Sequence, residues 1–312
     1  MILSYDQREY FNRFKQEAAL ILVIGANGRV GQNVVTELVK HHNTRPRIMV
    51  RDLPKAISRF HDSVSSSVEI VAGDLIQVES IEAAMKGISA VFLCSPVHPE
   101  QVTHHLNVVE AAVREGAYIV KLSGLATFPG SFVDSGDWHS QTEELIRQTG
   151  LDYTFLHPFF FSQNLAMQLK SANEHGVIRS SVSEAPIAMV DVRDIAAVAA
   201  ALLAQPDLAP QKTLTLTQTS ALTYTEIASV FGEVLKRPVK FQAQTLSQTE
   251  KLLRASGQPD WHVKILLQFT KAFNEGLGST PSDSIHAVLG KAPLTLRETL
   301  ESAIKSQRIE AK

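Results

Sequence analysis

Residues 20–41 constrain this chain more than any other stretch. An apolar run, Leu20-Ile-Leu-Val-Ile24, leads directly into Gly25-Ala-Asn27-Gly28-Arg29-Val30-Gly31, and an apolar-periodic segment follows to Lys40. That order describes a buried strand, a glycine-rich turn and a helix that opens at the strand's end. Gly25 permits the tight turn, Gly28 lets a pyrophosphate approach the backbone, and Gly31 lets the helix pack closely on the sheet. Unpaired amides and the positive end of the helix favour an anion there. Glycines punctuate any strand-to-helix turn, but here a second apolar run, Arg47-Ile-Met-Val50, follows where a dinucleotide-binding unit needs its next strand. The segment is therefore predicted to cradle a dinucleotide.

Strand-like runs recur at 20–24, 47–50, 68–72, 90–94, 118–122 and 152–156, each separated from the next by a helix-compatible stretch. Strands alternating with helices imply an α/β fold with a doubly wound parallel sheet, the Rossmann arrangement. The fourth and fifth runs read as almost free of interior polar residues, as expected when helices cover both faces. After residue 156 the alternation decays. Ile187-Ala-Met-Val190 leads into a helix with Asp191 as N-cap and Asp194 in its first turn, and residues 213–217 are strand-like enough to return to the sheet. Thr223-Tyr-Thr-Glu226 and Thr295-Leu-Arg-Glu298 each have the capping-box pattern that heads a helix. The chain is accordingly divided into a nucleotide-binding domain, 1–158 plus about 187–220, and a smaller, discontinuous, α-rich substrate lobe, about 159–186 plus 221–312. The first seventeen residues read as a short appended helix.

A chain of 312 residues, 44% apolar, with net charge -2 can bury a full core and has no global attraction for nucleic acid or a membrane surface. No apolar run approaches the ~20 residues of a spanning helix, and the charged start lacks a signal peptide's apolar centre. The single cysteine, Cys94, excludes an internal disulfide and a cysteine-rich zinc site. Both readings suit a cytoplasmic protein. No metal site is expected either: the pairs His41-His42 and His104-His105 read as surface histidines without helical i,i+4 partners.

The residue that reads the adenosine ribose lies ~20 residues past the glycine turn, at the end of the second strand. Here it is Arg51, whose planar fork of donors suits a 2′-phosphate where a carboxylate would select a free hydroxyl. NADP(H) is therefore the preferred cofactor, with NAD(H) possible, although adjacent Asp52 works against the charge argument. Asp74, followed by Leu75 after the third strand, is placed along the adenine, or is a simple turn aspartate. The short-chain dehydrogenase/reductase group uses a tyrosine followed four residues later by a lysine. Four residues after Tyr5, Tyr10, Tyr118, Tyr153 and Tyr224 come Glu9, Phe14, Leu122, His157 and Ala228, so that proton donor is absent. The helix that would carry it holds His139 and Glu143 instead, one turn apart. Its packing face reads as Trp138, Thr142, Leu145, Ile146 and Thr149, with His139 and Glu143 on the flank. They are either an acid and its orienting carboxylate or an exposed helical pair.

These motifs resemble the NmrA-like, atypical branch of the short-chain dehydrogenase/reductase superfamily. The resemblance runs from Gly25-Ala-Asn27-Gly28-Arg29-Val30-Gly31 through Val50-Arg51, Gly73-Asp74-Leu75, Leu122-Ser123-Gly124 and the helix of His139 and Glu143. It continues through Leu151-Asp-Tyr-Thr-Phe-Leu-His-Pro158 to Val190-Asp191-Val-Arg-Asp194-Ile195. Within the branch the chain is similar to the triphenylmethane reductases and type 2 NADPH:quinone oxidoreductases, which share the histidine and the glutamate four residues on. The resemblance implies that Cys94, Ser95 and Pro96 line the cofactor after the fourth strand, and Ser123 and Gly124 after the fifth. It also implies that Pro158, Phe159, Phe160 and Phe161 close over the nicotinamide end, with Asn164 bonding a loop or the ligand. His157 departs from the arginine or asparagine usual in the family.

Other residues admit two readings each. Ser123 suits a turn bonding its own backbone as well as a polarising hydroxyl. Residues 159–161, with Phe155, form an aromatic wall for a flat acceptor or pack as core, and three consecutive aromatics cannot all face one core. Trp138 and Phe161 join Asn164 as substrate contacts. Cys94, flanked by apolar strand residues, is a small hydrophobe rather than a nucleophile. The expected function is an NAD(P)H-dependent reductase of a small-molecule acceptor, a quinone or similar planar conjugated electrophile. The alternative is a non-catalytic NAD(P)-sensing regulator acting through a protein partner. A sugar-nucleotide epimerase shares the fold but relies on the absent tyrosine.

Overall fold

The computed structural model describes residues 20–64 and 67–310, so the short appended helix expected for the first seventeen residues lies outside the described residues. The apolar runs become the strands of one seven-stranded sheet. In chain order its first half is β1 (Ile21–Ile24), α1 (Arg29–His41), β2 (Arg47–Val50), α2 (Leu53–Val64), β3 (Glu69–Ala72), α3 (Val78–Met85), β4 (Ala90–Leu93), α4 (Gln101–Glu115), β5 (Tyr118–Leu122), α5 (Asp134–Gln148) and β6 (Tyr153–Pro158). A later strand, β10 (Lys212–Leu216), closes the edge, giving the order β10-β6-β5-β4-β1-β2-β3 with every pairing parallel. The expected doubly wound sheet is therefore present. Its winding direction reverses between β1 and β4, which leaves a crevice at the carboxyl ends of those strands.

β6 runs two residues past its predicted end, and the reason lies in the partner strand. His157 and Pro158 continue the ladder against Thr215 and Leu216 of β10. Between β6 and β10 the chain forms β7 (Phe160–Phe161), α6 (Ser162–Ala166), α7 (Leu169–His175), β8 (Val177–Ser180), β9 (Met189–Val190) and α8 (Val192–Ala204). β7 pairs with β9, tying the stretch after β6 to the strand that introduces α8. After β10 come α9 (Tyr224–Leu235), β11 (Lys240–Ala243), α10 (Leu246–Ala255), α11 (Asp260–Asn274), α12 (Ser284–Leu289) and α13 (Leu296–Glu310). β8 and β11 make a separate two-stranded parallel ribbon. No helix among the described residues is long and apolar enough to cross a membrane.

Buried apolar side chains fall into three clusters. One face of the sheet, with Ile21, Val23, Ile48 and Val50, packs on α1 and on alanine-rich α8, and Ile285 of α12 joins it. The opposite face, with Leu22, Ile24, Val91 and Leu93, packs on α3, α4 and Ile146 of α5. The third cluster joins α6, α7, α9, α11 and α13 through Leu165, Leu169, Ile227, Phe231, Phe273 and Leu300, and it also takes Leu125 and Val133 from the β5–α5 connection. That connection therefore belongs to the packing of this helical cluster as well as to the sheet, which places α5 between the two.

The predicted caps are all present. Asp191 caps α8, and Thr223 with Glu226 forms the reciprocal capping box of α9. Thr295 and Glu298 exchange the same pair of bonds before α13. Asp191 does more than cap. Its carboxylate accepts from Arg193 N–H at 2.8 Å, from Arg193 Nε at 2.9 Å and Nη2 at 2.7 Å, and from Thr299 Oγ1 at 2.6 Å, so it bolts α8 to α13. Burial would raise this carboxyl, but the hydrogen bonds from Arg193 and Thr299 outweigh it and hold the group below 3.8. Its stabilising contribution is thus complete above the ordinary carboxylate range and is lost only as pH falls below 3.8 through the lowered value. Asp191→Ala is expected to cost roughly 3 kcal/mol and Thr299→Val about 1 kcal/mol in urea unfolding at neutral pH.

Candidate active site

At the crevice the glycine turn is built by backbone approaching backbone. Gly25 has φ +79°, and a Cβ there would lie 2.4 Å from the Cys94 carbonyl oxygen; a Cβ on Gly31 would lie 2.2 Å from that of Gly25. Both positions therefore exclude any side chain. Gly28, whose N–H donates to Gly25 O at 2.9 Å, has no such collision and leaves the start of α1 open. α1 begins at Arg29 with no side-chain cap and no acidic residue in its first turn, so the amides of Arg29, Val30 and Gly31 keep their positive end uncompensated. Asn27 Oδ1 is buried without a partner among the described residues, an acceptor waiting for a hydroxyl donor. Arg59 of α2, unremarked in the sequence, donates to Asn27 O at 2.5 Å and brings a cation to the turn. Uncapped amides, nearby cations and an orphaned acceptor fit a dinucleotide.

Arg51 stands exposed at the end of β2. The carboxylate of its neighbour Asp52 accepts from Lys55 N–H at 3.0 Å and caps α2. Asp74 accepts from Ile76 N–H at 3.2 Å, the turn-aspartate arrangement, and Leu75 O takes a bond from Asn107 Nδ2 at 2.8 Å. Cys94 is inert as expected: burial pushes its thiol up to about 12. Ser95 Oγ lies 2.8 Å from His105 Nε2, and Pro96 is exposed beside it.

The centre of the site is a polar network that the sequence reading assembled only in part. Lys121, in the middle of β5, is completely buried, against the expectation of an apolar strand. Its ammonium donates to Ser123 Oγ at 2.7 Å and lies 2.9 Å from His139 Nδ1. Gln101 Nε2, at the start of α4, lies 2.9 Å from the same Nδ1. Ser123 donates to Glu143 Oε1 at 2.5 Å, and His157 Nε2 meets that oxygen at 2.7 Å. Arg147 Nη2 lies 3.2 Å from Glu143 Oε2. A lysine in an otherwise apolar parallel strand was the available signal, since a buried charge is tolerated only when paired.

Three expectations are corrected here. His139 and Glu143 are not on the flank of α5: its buried face is Ser135, Gly136, His139, Ser140, Thr142, Glu143 and Ile146, because the helix packs on Lys121 and Gln101 as well as on apolar neighbours. Glu143 does not orient His139; the imidazole is held by Lys121 and Gln101, while Glu143 receives Ser123, His157 and Arg147. Ser123 likewise does not close its own turn, a task taken by Thr127 Oγ1 on Gly124 O at 2.8 Å.

Electrostatics follow from burial. Burial pulls the Lys121 ammonium down to about 7, against the opposing pull of Glu143 and Cys94. Burial and then the Lys121 charge hold His139 well below 6.5, so the imidazole is neutral near pH 7. Burial would raise Glu143, but His157, Lys121 and Ser123 outweigh it and keep it ionised.

Around this network Pro158 is buried, and Phe159, Phe160 and Phe161 are half-buried. Phe161 packs against the sheet cluster, whereas Phe159 and Phe160 pack against the third cluster, Phe160 edge-on to Phe273 at 5.7 Å. Phe155 does not join them. It lies within β6 on the same face as Tyr153, fully buried and stacked on that ring at 4.4 Å. Trp138 is half-buried on α5, and Asn164 Oδ1 sits 3.5 Å from Arg29 Nη1, so the turn and the lobe meet there. His105 is not a surface residue; it is buried facing Ser95 on α4. His104 does have a helical partner, Glu100, and their ligand atoms with those of His98 lie within 4.8 Å of one another. The His98 ring already accepts from Glu100 N–H at 3.2 Å, and Glu100 is largely in solvent.

The pattern of the NmrA-like family matches residues 17–301. An NAD(P)H azoreductase of Xenophilus azovorans is 30% identical over 275 residues, which span 88% of this chain and 92% of that one. Quinone oxidoreductase 2 of Escherichia coli is 23% identical over 282 residues, 90% of this chain and 97% of its own. The triphenylmethane reductase of Citrobacter, solved with NADP(H), superposes with a TM-score of 0.79 at 26% identity, covering 91% of this chain and 99% of that one. In the glycine turn, Gly31→Ala is expected to lower stability by roughly 1–3 kcal/mol and to weaken dinucleotide binding, read by thermal melting with and without ligand.

Proposed function

This chain belongs to the NmrA-like family, and we propose that it is an NADPH-dependent reductase of quinones, azo compounds or related planar conjugated electrophiles, with NADH a weaker donor. The observation that carries the proposal is the geometry at His139: Nδ1 lies within 2.9 Å of two donor groups, which leaves Nε2 as the nitrogen free to meet a ligand. Among the described residues no protein group bonds Nε2. The names of the azoreductase and quinone oxidoreductase relatives support the same class.

The nicotinamide would supply the hydride, and the amides of Arg29, Val30 and Gly31, with Arg59 beside the turn, would hold its diphosphate. Arg51 would read the 2′-phosphate. The protein's own task is to hold a flat acceptor against the ring, with Phe159 and Phe160 as apolar wall and His139 at the atom where charge develops. A conjugated acceptor spreads that charge over its rings, so a strong tyrosine acid is dispensable. A nucleotide sensor would need the glycine turn but not a buried ammonium, imidazole and carboxylate, which favours the reductase.

In the measured protein, NADPH should bind at least tenfold tighter than NADH, and Arg51→Ala should erase the difference. His139→Ala should cut quinone or azo-dye turnover by about ten- to a hundredfold with NADPH affinity retained. NADPH binding without turnover of any such acceptor would reject the reductase in favour of the sensor.

A further inference from the structure

We propose that Lys121 is the positioning residue that makes His139 a proton donor, fixing the imidazole with Nδ1 as acceptor and Nε2–H outward and replacing the proton His139 gives up. The inference rests on the reductase reading for its reaction, but its structural half concerns the resting protein alone.

The geometry singles out Lys121. It lies wholly inside the sheet, yet its Nζ reaches Ser123 Oγ at 2.7 Å and His139 Nδ1 at 2.9 Å. An ammonium has donors only. When Lys121 is charged, Nδ1 must therefore accept, and the neutral ring carries its hydrogen on Nε2. Gln101 Nε2, a second donor at 2.9 Å from Nδ1, supports the same tautomer. Glu143 explains why a charge survives here: it stands one hydroxyl away, through Ser123, and is itself anchored by His157 and Arg147. The carboxylate that sequence spacing assigned to His139 is thus the counter-ion of Lys121.

The step balances. Hydride arrival from a reduced nicotinamide leaves an electron pair on the acceptor's oxygen or nitrogen. That atom forms a bond to the Nε2 hydrogen as the N–H bond breaks, and a Lys121 N–H breaks as Nδ1–H forms. One hydride and one proton reach the acceptor, the imidazole stays neutral throughout, and Lys121 ends as an amine. After product departs, solvent protonates Nε2 and Nδ1 returns its proton to Lys121. Burial holds the His139 imidazole neutral, so a proton relayed from Lys121 to Nδ1 spares it the imidazolate that donation from Nε2 alone would leave.

The same arrangement makes the tautomer depend on pH. Lys121 faces His139 and Glu143 of α5, Cys94 just after β4, His105 of α4 and Ser123 just after β5, with Gln101 of α4 on His139 and His157 of β6 on Glu143. As the amine forms, through about 7, Lys121 can accept from Nδ1–H and the ring loses its outward hydrogen. Turnover should therefore be full below that pH and fall above it.

The test uses ¹⁵N-histidine-labelled full-length protein without added ligand, with the His139 resonances identified by their loss in His139→Gln. Nδ1 should show an unprotonated shift and Nε2 a protonated one at pH 6, the preference weakening through pH 7–8. A Nδ1–H tautomer at pH 6 overturns the proposal, and this readout needs neither turnover nor a Lys121 variant. In parallel, Lys121→Met should lower kcat ten- to a hundredfold, leave NADPH affinity within about twofold, and flatten the fall of kcat above pH 7. A folded Lys121→Met protein with the wild-type pH profile also overturns it. Absence of turnover in wild-type protein would sink the reductase reading, while the NMR result would still decide the tautomer.

Discussion

The close approach of Gly25 to Cys94 and of Gly31 to Gly25 is the constraint on which the rest of the molecule depends. With carbonyl oxygens 2.4 and 2.2 Å from where a Cβ would stand, no other residue allows β1, β4 and α1 to meet at this distance. The contact sets the start of α1 against the sheet's switch point, and α1 in turn is the surface on which α8 packs. α8 carries Asp191, which reaches Thr299 of α13. A backbone contact at one end of the sheet is thus continuous with the clamp that holds the second group of helices.

The second organising fact is a buried charge. An isolated ammonium inside a sheet would cost several kcal/mol, and a half-satisfied polar cluster would be worse than an apolar one. Here Lys121, Ser123, Glu143, His157 and Arg147 form a connected chain that runs from the middle of β5 to the edge of α5 and β6. Among the described residues, Gln101 Oε1 and His105 Nδ1 on α4 are buried without a hydrogen-bond partner beside it. The arrangement ties a stability cost to a functional gain: the network holds one imidazole in one orientation at the place where cofactor and acceptor would meet.

How much was legible in advance follows from the range of the interactions. The glycine turn, the strands and the three caps were readable because each is decided within about one helical turn or by strand burial. The role of Asp52 in capping α2 was missed although it is local. His105 was read as surface because adjacent histidines on a helix face different sides, and nothing in the sequence says which side meets Ser95. Phe155 was grouped with the aromatics that follow it, but it lies within β6 on the same face as Tyr153, and β6 ends at Pro158 before those aromatics begin. For Glu143 the spacing was right and the partner wrong. An i,i+4 relation places two side chains near each other, but hydrogen bonds went to the stronger donors that β5 and β6 brought in.

By itself, then, the sequence determined that this chain builds a parallel, doubly wound sheet with a phosphate-accepting turn, because glycine sterics, strand hydrophobicity and helix capping are local properties of the residues. Only the tertiary structure decided which groups surround His139. Lys121 and Ser123 come from β5 and the residue after it, His157 from β6 and Gln101 from the start of α4, and the burial that tunes Lys121 and His139 exists only once those elements have packed.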